Sequence, residues 1–156
     1  MKIWILRHGQ AEGLAPSDEL RALTEEGREE AYLVATQLAD QPIDAILASP
    51  YLRAQQTADI VQKQLQLRWG VATAGWLTPD DDPRRVLDFL AERAEQNLLL
   101  VSHQPLVGQL ISLLIDGNRA GHYPMPTAGL ACVELDIPAA GLGLLRLLTS
   151  PAELRS

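Results

Sequence analysis

The sequence is poor in the residues that form cross-links and metal sites. It contains one cysteine, Cys132, and three histidines among its 156 residues. A single cysteine excludes an internal disulfide and is typical of proteins in the reducing cytosol. Cysteine and histidine residues at metal-ligand spacing are also too few for a zinc site. We therefore expect a cytoplasmic protein that binds no metal, with Cys132 packed in the interior.

Long apolar runs and positive charge are also scarce. No apolar stretch approaches the length that spans a bilayer, and residues 1–4 lack the anatomy of a signal peptide. The chain has 13 lysine and arginine residues against 20 acidic ones, a net charge of −7. Because nucleic acid requires a basic surface, we expect neither nucleic acid nor a membrane as a partner. Any phosphate site must be a local cationic pocket, which suits a single phosphoryl group.

Aromatic residues make up only 4% of the chain, whereas hydrophobic residues make up 47%. The core is therefore expected to consist of Leu, Val, Ile and Ala. A length of 156 residues supports one domain with a substantial core and is short for two. No internal repeat or low-complexity segment divides the sequence. We therefore expect residues 1–156 to form a single domain.

Three short apolar runs, at residues 3–6, 45–48 and 98–101, are each followed by polar residues suited to phosphate chemistry. Such runs predict buried strands, and open α/β sheets bind ligands at the carboxyl ends of their strands. A histidine offers a nucleophilic nitrogen near neutral pH, and an arginine offers a planar fork for phosphate oxygens. The candidate catalytic residues after these runs are Arg7, His8, Arg53 and His103.

Helical patterns separate these strands. The predicted helices begin at four capping or first-turn residues, namely Thr24, Ser49, Pro83 and Pro105. The second helix is predicted to end near Leu65 and the third at Ala94. Residues 130–135 and 142–148 predict an antiparallel pair of strands. Strands alternating with helices predict a three-layer α/β/α sandwich, with a mostly parallel sheet and an antiparallel edge.

A nucleophilic His8 must be neutral with one ring nitrogen free. We therefore expect its other nitrogen to donate a hydrogen bond to a nearby backbone carbonyl. The backbone N–H groups that open the helix at Pro105 lie close to the same strand ends in this fold, and such groups suit an anion.

Three sequence segments also carry a family resemblance. They are Arg-His-Gly at 7–9, Ser-Pro-x-x-Arg-Ala-x-Gln-Thr at 49–57 and Ser-His-x-Pro-Leu-Val-Gly at 102–108. In this order and at this spacing, they resemble the histidine phosphatase superfamily, which includes the cofactor-dependent phosphoglycerate mutases. Within it, the sequence is most similar to the small bacterial SixA-type phosphohistidine phosphatases. The resemblance extends from Met1 to about Asp136 and implies a phosphoglycerate mutase-like fold.

The resemblance also implies roles for individual residues. His8 would form a covalent phosphohistidine intermediate, Arg7 and Arg53 would bind the phosphoryl oxygens, and His103 would bind the same group. The segment at residues 17–24 resembles the SixA type and implies that Arg21 reaches the substrate phosphate. The alternative is a surface arginine that pairs with a neighbouring carboxylate such as Asp18.

One position departs from the wider superfamily. Mutase and sugar-phosphatase members carry a glutamate proton donor in mid-chain, where this sequence has Trp76. An alkoxide leaving group needs such an acid, whereas phosphohistidine leaves as imidazole, whose unperturbed pKa is about 6.5. Asp18, Glu12 or a residue of the 80–82 aspartate run remain alternative acids.

The sequence thus predicts a metal-independent hydrolase with no cofactor. Its expected substrate is phosphohistidine on a signalling or phosphotransfer protein. A small-molecule phosphomonoesterase and a non-catalytic phosphate-binding module are the alternatives.

Overall fold

The computed structural model describes residues 1–156 and contains one six-stranded sheet in the order β3-β2-β4-β1-β5-β6. The first four strands along the chain are mutually parallel, whereas the last two form an antiparallel edge. This confirms the predicted sheet. The strands are β1 (Lys2–Arg7), β2 (Ala45–Ala48), β3 (Ala72–Thr73), β4 (Asn97–Ser102), β5 (Leu130–Glu134) and β6 (Leu144–Thr149).

Helices cover both faces of this sheet and confirm the three-layer sandwich. Helices α1 and α2 pack together on one face, α3 and α4 on the other, and α5 against α1. None of the helices is long and apolar enough to span a membrane. They are α1 (Glu25–Ala35), α2 (Leu52–Gln64), α3 (Pro83–Ala91), α4 (Leu106–Asp116) and α5 (Pro151–Arg155).

The alternation of side chains along the central strands explains why both faces are covered. In β1, Ile3 and Ile5 lie in the core under α3 and α4, whereas Trp4 and Leu6 lie in the core under α1 and α2. All four are buried. Burying each such side chain contributes about 1.5–3 kcal/mol. The uninterrupted apolar runs therefore specify a strand at the centre of a sheet, with its carboxyl end fixed in place.

Two predicted helix starts are confirmed by their caps. The Thr24 hydroxyl accepts a hydrogen bond from the Gly27 N–H at 2.9 Å, at the start of α1. The carboxylate of Asp82 accepts the N–H of Arg84, and Pro83 is the first residue of α3. The structure also contains β3 and α5, which were not predicted because a two-residue strand and a five-residue helix leave little periodic signal.

Other predicted helix boundaries were wrong. Ser49 is not the N-cap of α2, which begins at Leu52 with Tyr51 as its N-cap. The Ser49 N–H still donates to the Val101 carbonyl of the sheet, and its hydroxyl accepts the Tyr51 N–H, one residue before the helix. Helix α3 ends at Ala91, short of the predicted Ala94. Pro105 precedes α4 as its N-cap instead of forming its first turn.

Cys132 is buried in β5, as predicted, with 2% of its surface exposed. Burial raises the pKa of its thiol to about 11. A thiol that stays protonated at neutral pH is a packing residue and a poor nucleophile.

Candidate active site

The carboxyl ends of three adjacent parallel strands meet at one edge of the sheet. Strand β4 lies between β2 and β1; Arg7 at the end of β1 pairs with Ser102, and Ala48 at the end of β2 pairs with Val101. The residues that follow these strands include His8, Ser49 and His103, and all three are buried. The ring centroids of His8 and His103 lie 5.1 Å apart, with the rings tilted by 59°. Two imidazoles at this separation can contact one phosphoryl group between them.

The hydrogen bonds of His8 define its tautomer. Its Nδ1 lies 2.7 Å from the Gly9 carbonyl oxygen, which only accepts. Its Nε2 lies 3.3 Å from Nε of Arg53, a guanidinium that only donates. The proton is therefore on Nδ1, and Nε2 carries the lone pair. A hydrogen bond from His8 to a backbone carbonyl is what the sequence predicted.

The electrostatic environment keeps His8 neutral. Burial, followed by the positive charges of Arg53 and Arg7, lowers the pKa of His8 to about 4, although the Gly9 carbonyl opposes the shift. An imidazole with this pKa is unprotonated at neutral pH, so its lone pair is available to attack phosphorus.

Thr57 holds the loop that follows His8, a role that the sequence did not predict. Its hydroxyl accepts the Gly9 N–H at 3.1 Å and donates to the Arg53 carbonyl at 2.8 Å. A Cβ at Gly9 would lie 2.5 Å from the Gly27 carbonyl oxygen, so the loop packs directly against the first turn of α1. Thr57 ends the Arg-Ala-x-Gln-Thr segment, one helical turn after Arg53, and this spacing was the available signal.

Arg53 is buried, with 4% of its surface exposed, and its guanidinium is held on every side. In addition to His8, it donates to the backbone carbonyl of Asp18 at 2.7 Å and to the carboxylate of Asp18 at 3.2 Å. The guanidinium also lies 5.0 Å from the ring centroid of Tyr51. The first turn of α2 and the segment around Asp18 therefore fix Arg53 beside His8.

Arg7 is the last residue of β1 and precedes His8. Its Nη1 donates to the Met125 carbonyl at 3.0 Å, and its Nε is buried without a partner in the protein. Burial and the nearby Arg53 lower the pKa of Arg7, and Glu30 opposes this. Two arginines beside two neutral histidines make a local cationic cluster in a chain of net charge −7.

Arg21 is held by Asp18 and by the backbone of Glu12. Its Nη1 donates to the Asp18 carboxylate at 3.0 Å and its Nε to the Glu12 carbonyl at 2.7 Å. The side chain is 32% exposed. Asp18 thus links Arg21 to Arg53. The Arg21–Asp18 ion pair is the alternative that the sequence analysis gave, in which Arg21 pairs with a neighbouring carboxylate. A direct contact between Arg21 and substrate phosphate stays a prediction.

His103 follows β4 and is held by a hydrogen bond with the Ser49 hydroxyl. Its Nε2 lies 2.7 Å from the Ser49 hydroxyl, and its Nδ1 is buried without a partner. The Tyr51 ring packs edge-on against the imidazole, with centroids 4.9 Å apart. Burial, then the neighbouring His8 and Arg53, lowers the pKa of His103 to about 3.

Three of the candidate proton donors, Asp18, Asp81 and Asp82, are bonded to other groups. The Asp18 carboxylate is bonded to Arg21 and Arg53, whose hydrogen bonds and charges lower its pKa. A carboxylate held in this form is a poor acid at neutral pH. Asp81 accepts from the N–H and hydroxyl of Thr78, and Asp82 caps α3.

Trp76, where the sequence analysis looked for an acid, stacks on Phe89 of α3, with ring centroids 4.9 Å apart. It is a packing residue in this structure.

The first turn of α4 limits another expectation. The Val107 N–H donates to the His103 carbonyl, and the Gly108 N–H donates to the Gln104 side chain, so these two groups are satisfied within the protein. An anion contact at the first N–H of the helix, that of Leu106, stays a prediction. No group of three or more His, Cys, Asp or Glu side chains is arranged to bind a metal ion.

Comparison with known proteins places this site in a family. Residues 3–74 match the model of the histidine phosphatase superfamily, branch 1. The chain is 36% identical to the phosphohistidine phosphatase SixA of Escherichia coli, over 99% of this chain and 97% of that protein. The chain belongs to the histidine phosphatase superfamily. It is a phosphatase of the SixA type, as the sequence predicted.

Two further comparisons support the place of this chain in the histidine phosphatase superfamily. It is 35% identical to a SixA homolog of Haemophilus influenzae, over 83% of this chain and 87% of that protein. Its fold matches the solved structure of the protein histidine phosphatase SixA complexed with tungstate, with a TM-score of 0.89, 35% identity and 99% coverage of both chains.

Proposed function

We propose that the chain hydrolyses phosphohistidine on proteins through a phospho-His8 intermediate. The observation that carries the proposal is the position of His8 Nε2, which is unprotonated, buried and flanked by Arg53 and His103. The similar proteins of Escherichia coli and Haemophilus influenzae are named as a phosphohistidine phosphatase and its homolog, which supports the same substrate here.

The proposed reaction has two steps. In the first, Nε2 of His8 attacks phosphorus, the P–N bond of the substrate breaks, and the departing imidazole takes a proton from solvent. In the second, water attacks phospho-His8, releasing orthophosphate and restoring neutral His8. The net reaction is phosphohistidine plus water to histidine plus orthophosphate.

The four central residues divide the work in this proposal. The phosphoryl group spreads negative charge over its equatorial oxygens in the transition state, so positioned cations and donors lower the barrier. Arg7 Nε and His103 Nδ1 are buried donor positions without a protein partner, which supports contact with these oxygens. Arg53 already donates to the nucleophile and can donate to a phosphoryl oxygen beside it. Arg21 would bind the substrate phosphate next to Asp18, whose carboxylate it shares with Arg53.

The substrate class follows from the leaving group. The Asp18 carboxylate is held ionised by two arginines, and Trp76 occupies the place of the usual acid. An imidazole needs no strong acid to leave, whereas an alkoxide does. This favours cleavage of P–N bonds over simple phosphate esters. A small-molecule phosphomonoesterase remains the alternative that the experiment below distinguishes.

The partner would be a protein that displays phosphohistidine at its surface, such as a phosphotransfer domain. The segment at residues 12–20, beside Arg53, is exposed and covers no closed cavity, which supports access by a protein side chain.

We further propose that residues 1–156 act as one domain in the cytoplasm. One continuous sheet from β1 to β6 and a free, buried cysteine support these assignments.

The test is turnover of a phosphohistidine protein by wild type, His8→Ala and a matched control, His122→Ala. His122 is exposed, so its loss removes an imidazole without touching the buried cluster. We expect His8→Ala to abolish hydrolysis and His122→Ala to retain it. Rapid quenching should also trap an acid-labile phosphate on wild type and none on His8→Ala. Equal turnover by His8→Ala would overturn the proposal, and binding without turnover by wild type would indicate a non-catalytic module.

A further inference from the structure

Ser49 makes two side-chain contacts that restrict its hydroxyl. The residue follows β2 and is fully buried, with 0% of its surface exposed. Its Oγ accepts the Tyr51 N–H at 3.3 Å and lies 2.7 Å from Nε2 of His103. The remaining nitrogen of His103, Nδ1, is buried and has no partner in the protein.

The hydrogen atoms can be assigned by counting. A hydroxyl has one proton to donate, and the Tyr51 N–H already uses an acceptor position of Oγ. The only acceptor within reach of the Ser49 proton is therefore Nε2 of His103. In the opposite arrangement Nε2 would donate to Oγ, and the buried hydroxyl proton would have no acceptor, which costs about 1–3 kcal/mol.

We propose that Ser49 is a positioning residue that donates its hydroxyl proton to Nε2 of His103, and so keeps the proton of that imidazole on Nδ1. This inference rests on the proposed function for the reacting group, and it names the state of the second histidine at the same site. His103 Nδ1–H is then a neutral donor that meets a phosphoryl oxygen held near His8, 5.1 Å away between ring centroids.

The two tautomers of His103 have opposite effects on a phosphoryl group. With the proton on Nδ1, the ring donates a hydrogen bond to an oxygen whose charge grows in the transition state. With the proton on Nε2, Nδ1 presents a lone pair to that oxygen and repels it. Protonation of both nitrogens is disfavoured by burial and by the charges of Arg53 and Arg7, which outweigh the attraction of Asp18 and lower the pKa of His103.

The arrangement mirrors that of the nucleophile. In His8, Nδ1 donates to the Gly9 carbonyl, so Nε2 carries the lone pair. In His103, Nε2 accepts from Ser49, so Nδ1 carries the proton. One imidazole is thereby prepared to attack and the other to donate, although both are buried and neutral.

The direct test is the tautomer of His103 in the wild-type protein, read from long-range ¹H–¹⁵N correlations of the imidazole rings. The chain has three histidines, so single substitutions of His8 and His122 assign the signals. We expect a protonated Nδ1 and a bare Nε2 for His103 at neutral pH. A protonated Nε2 would overturn the proposal without any measurement of activity.

Variants provide the second test. Ser49→Ala should leave His103 as a mixture of tautomers and lower kcat by about tenfold, because only part of the population presents the donor. Ser49→Thr keeps the hydroxyl and should retain the Nδ1–H signal. Ser112→Ala is the matched control: Ser112 is also fully buried, but its hydroxyl bonds the Asn118 carbonyl, away from the histidines. It should leave the tautomer and kcat at their wild-type values.

Failure of this inference is separable from failure of the proposed function. The tautomer is measured without substrate, and kcat is measured on an activated aryl phosphate as well as on a phosphohistidine protein. A protein that cleaves only the aryl phosphate, with His103 protonated on Nδ1, refutes the substrate class and retains the role of Ser49. A single, unchanged tautomer in Ser49→Ala would refute the role of Ser49 alone.

Discussion

The Nε atom of Arg53 lies 3.3 Å from Nε2 of His8, the nitrogen that carries the lone pair. The arginine that we propose binds phosphate therefore also contacts the proposed nucleophile. As the bond from Nε2 to phosphorus forms, the Nε–H of Arg53 can shift to a phosphoryl oxygen a few ångströms away. The hydrogen bonds from Arg53 to Asp18 fix the rest of the guanidinium during this exchange.

Arg53→Lys should be nearly as damaging as Arg53→Ala. Lysine offers a single ammonium and cannot donate to His8, the Asp18 carbonyl and the Asp18 carboxylate from one planar group. We expect kcat/KM to fall by about 10²–10³-fold in both variants, the loss typical of a charge-stabilising donor. Arg84→Lys, at an exposed position of α3, is the matched control and should have wild-type kinetics. Near-complete rescue by lysine would show that charge alone matters at this position.

Thr57→Val should weaken catalysis although Thr57 touches no substrate. The substitution keeps the shape of the side chain but leaves the Gly9 N–H without its acceptor, so the loop that fixes the His8 tautomer loosens. We expect a fall in kcat of about tenfold and a loss of about 1–3 kcal/mol in the free energy of unfolding. Thr57→Ser keeps the hydroxyl and should restore most of kcat. Unchanged kcat in Thr57→Val, alongside reduced stability, would assign Thr57 a purely structural role.

Acid should destabilise the protein through its two buried histidines. Their pKa values are lowered to about 4 for His8 and about 3 for His103, against about 6.5 in the unfolded chain. The unfolded state therefore binds more protons below about pH 6.5, and the free energy of unfolding falls as pH drops from about 6.5 toward 4. Urea unfolding at a series of pH values measures this slope.

The variant His103→Gln isolates one of the two groups. It removes a proton-binding site of the unfolded chain, so the slope between about pH 6.5 and 4 should become shallower than in wild type. The carboxylates contribute equally to both proteins and cancel in the comparison. Equal slopes would mean that His103 titrates normally in the folded protein.

Sequence patterns predicted the fold and the four central residues because each depends on local signals. The apolar runs specify strands, and Arg7, His8 and His103 follow them directly. Ser49 was misassigned as a helix cap, since its type and its position before Pro50 are typical of one. Its actual partner, His103, is 54 residues away in the sequence. Contacts across strand ends leave no periodic trace, and for this reason the positions of Ser49, Thr57 and Asp18 required the structure.

Chelators should leave activity unchanged. The proposed reaction uses two arginines and two histidines for charge stabilisation and attack, and no cluster of potential metal ligands is present. We expect the same kcat/KM before and after dialysis against EDTA. Inhibition by EDTA that is reversed by one divalent cation would contradict the metal-independent mechanism. Reversal by zinc alone would point to the histidines as ligands and require a different arrangement of the site.

The leaving group provides the sharpest prediction about the substrate class. Because Asp18 is held ionised and Trp76 packs on Phe89, neither supplies a proton to a departing oxygen. Rates on phosphate esters should therefore fall steeply as the leaving alcohol becomes more basic, so activated aryl phosphates react and alkyl or sugar phosphates react poorly.

Phosphohistidine should escape this trend, since its imidazole accepts a solvent proton with a pKa of about 6.5. The measurement is kcat/KM across aryl phosphates of graded acidity, an alkyl phosphate and a phosphohistidine protein. Asp18→Asn is the matched variant, because it removes the carboxylate while keeping the backbone carbonyl that binds Arg53. It should leave the slope across the esters as steep as in wild type. A flat profile in wild type that becomes steep in Asp18→Asn would identify Asp18 as a working acid and favour the small-molecule phosphomonoesterase.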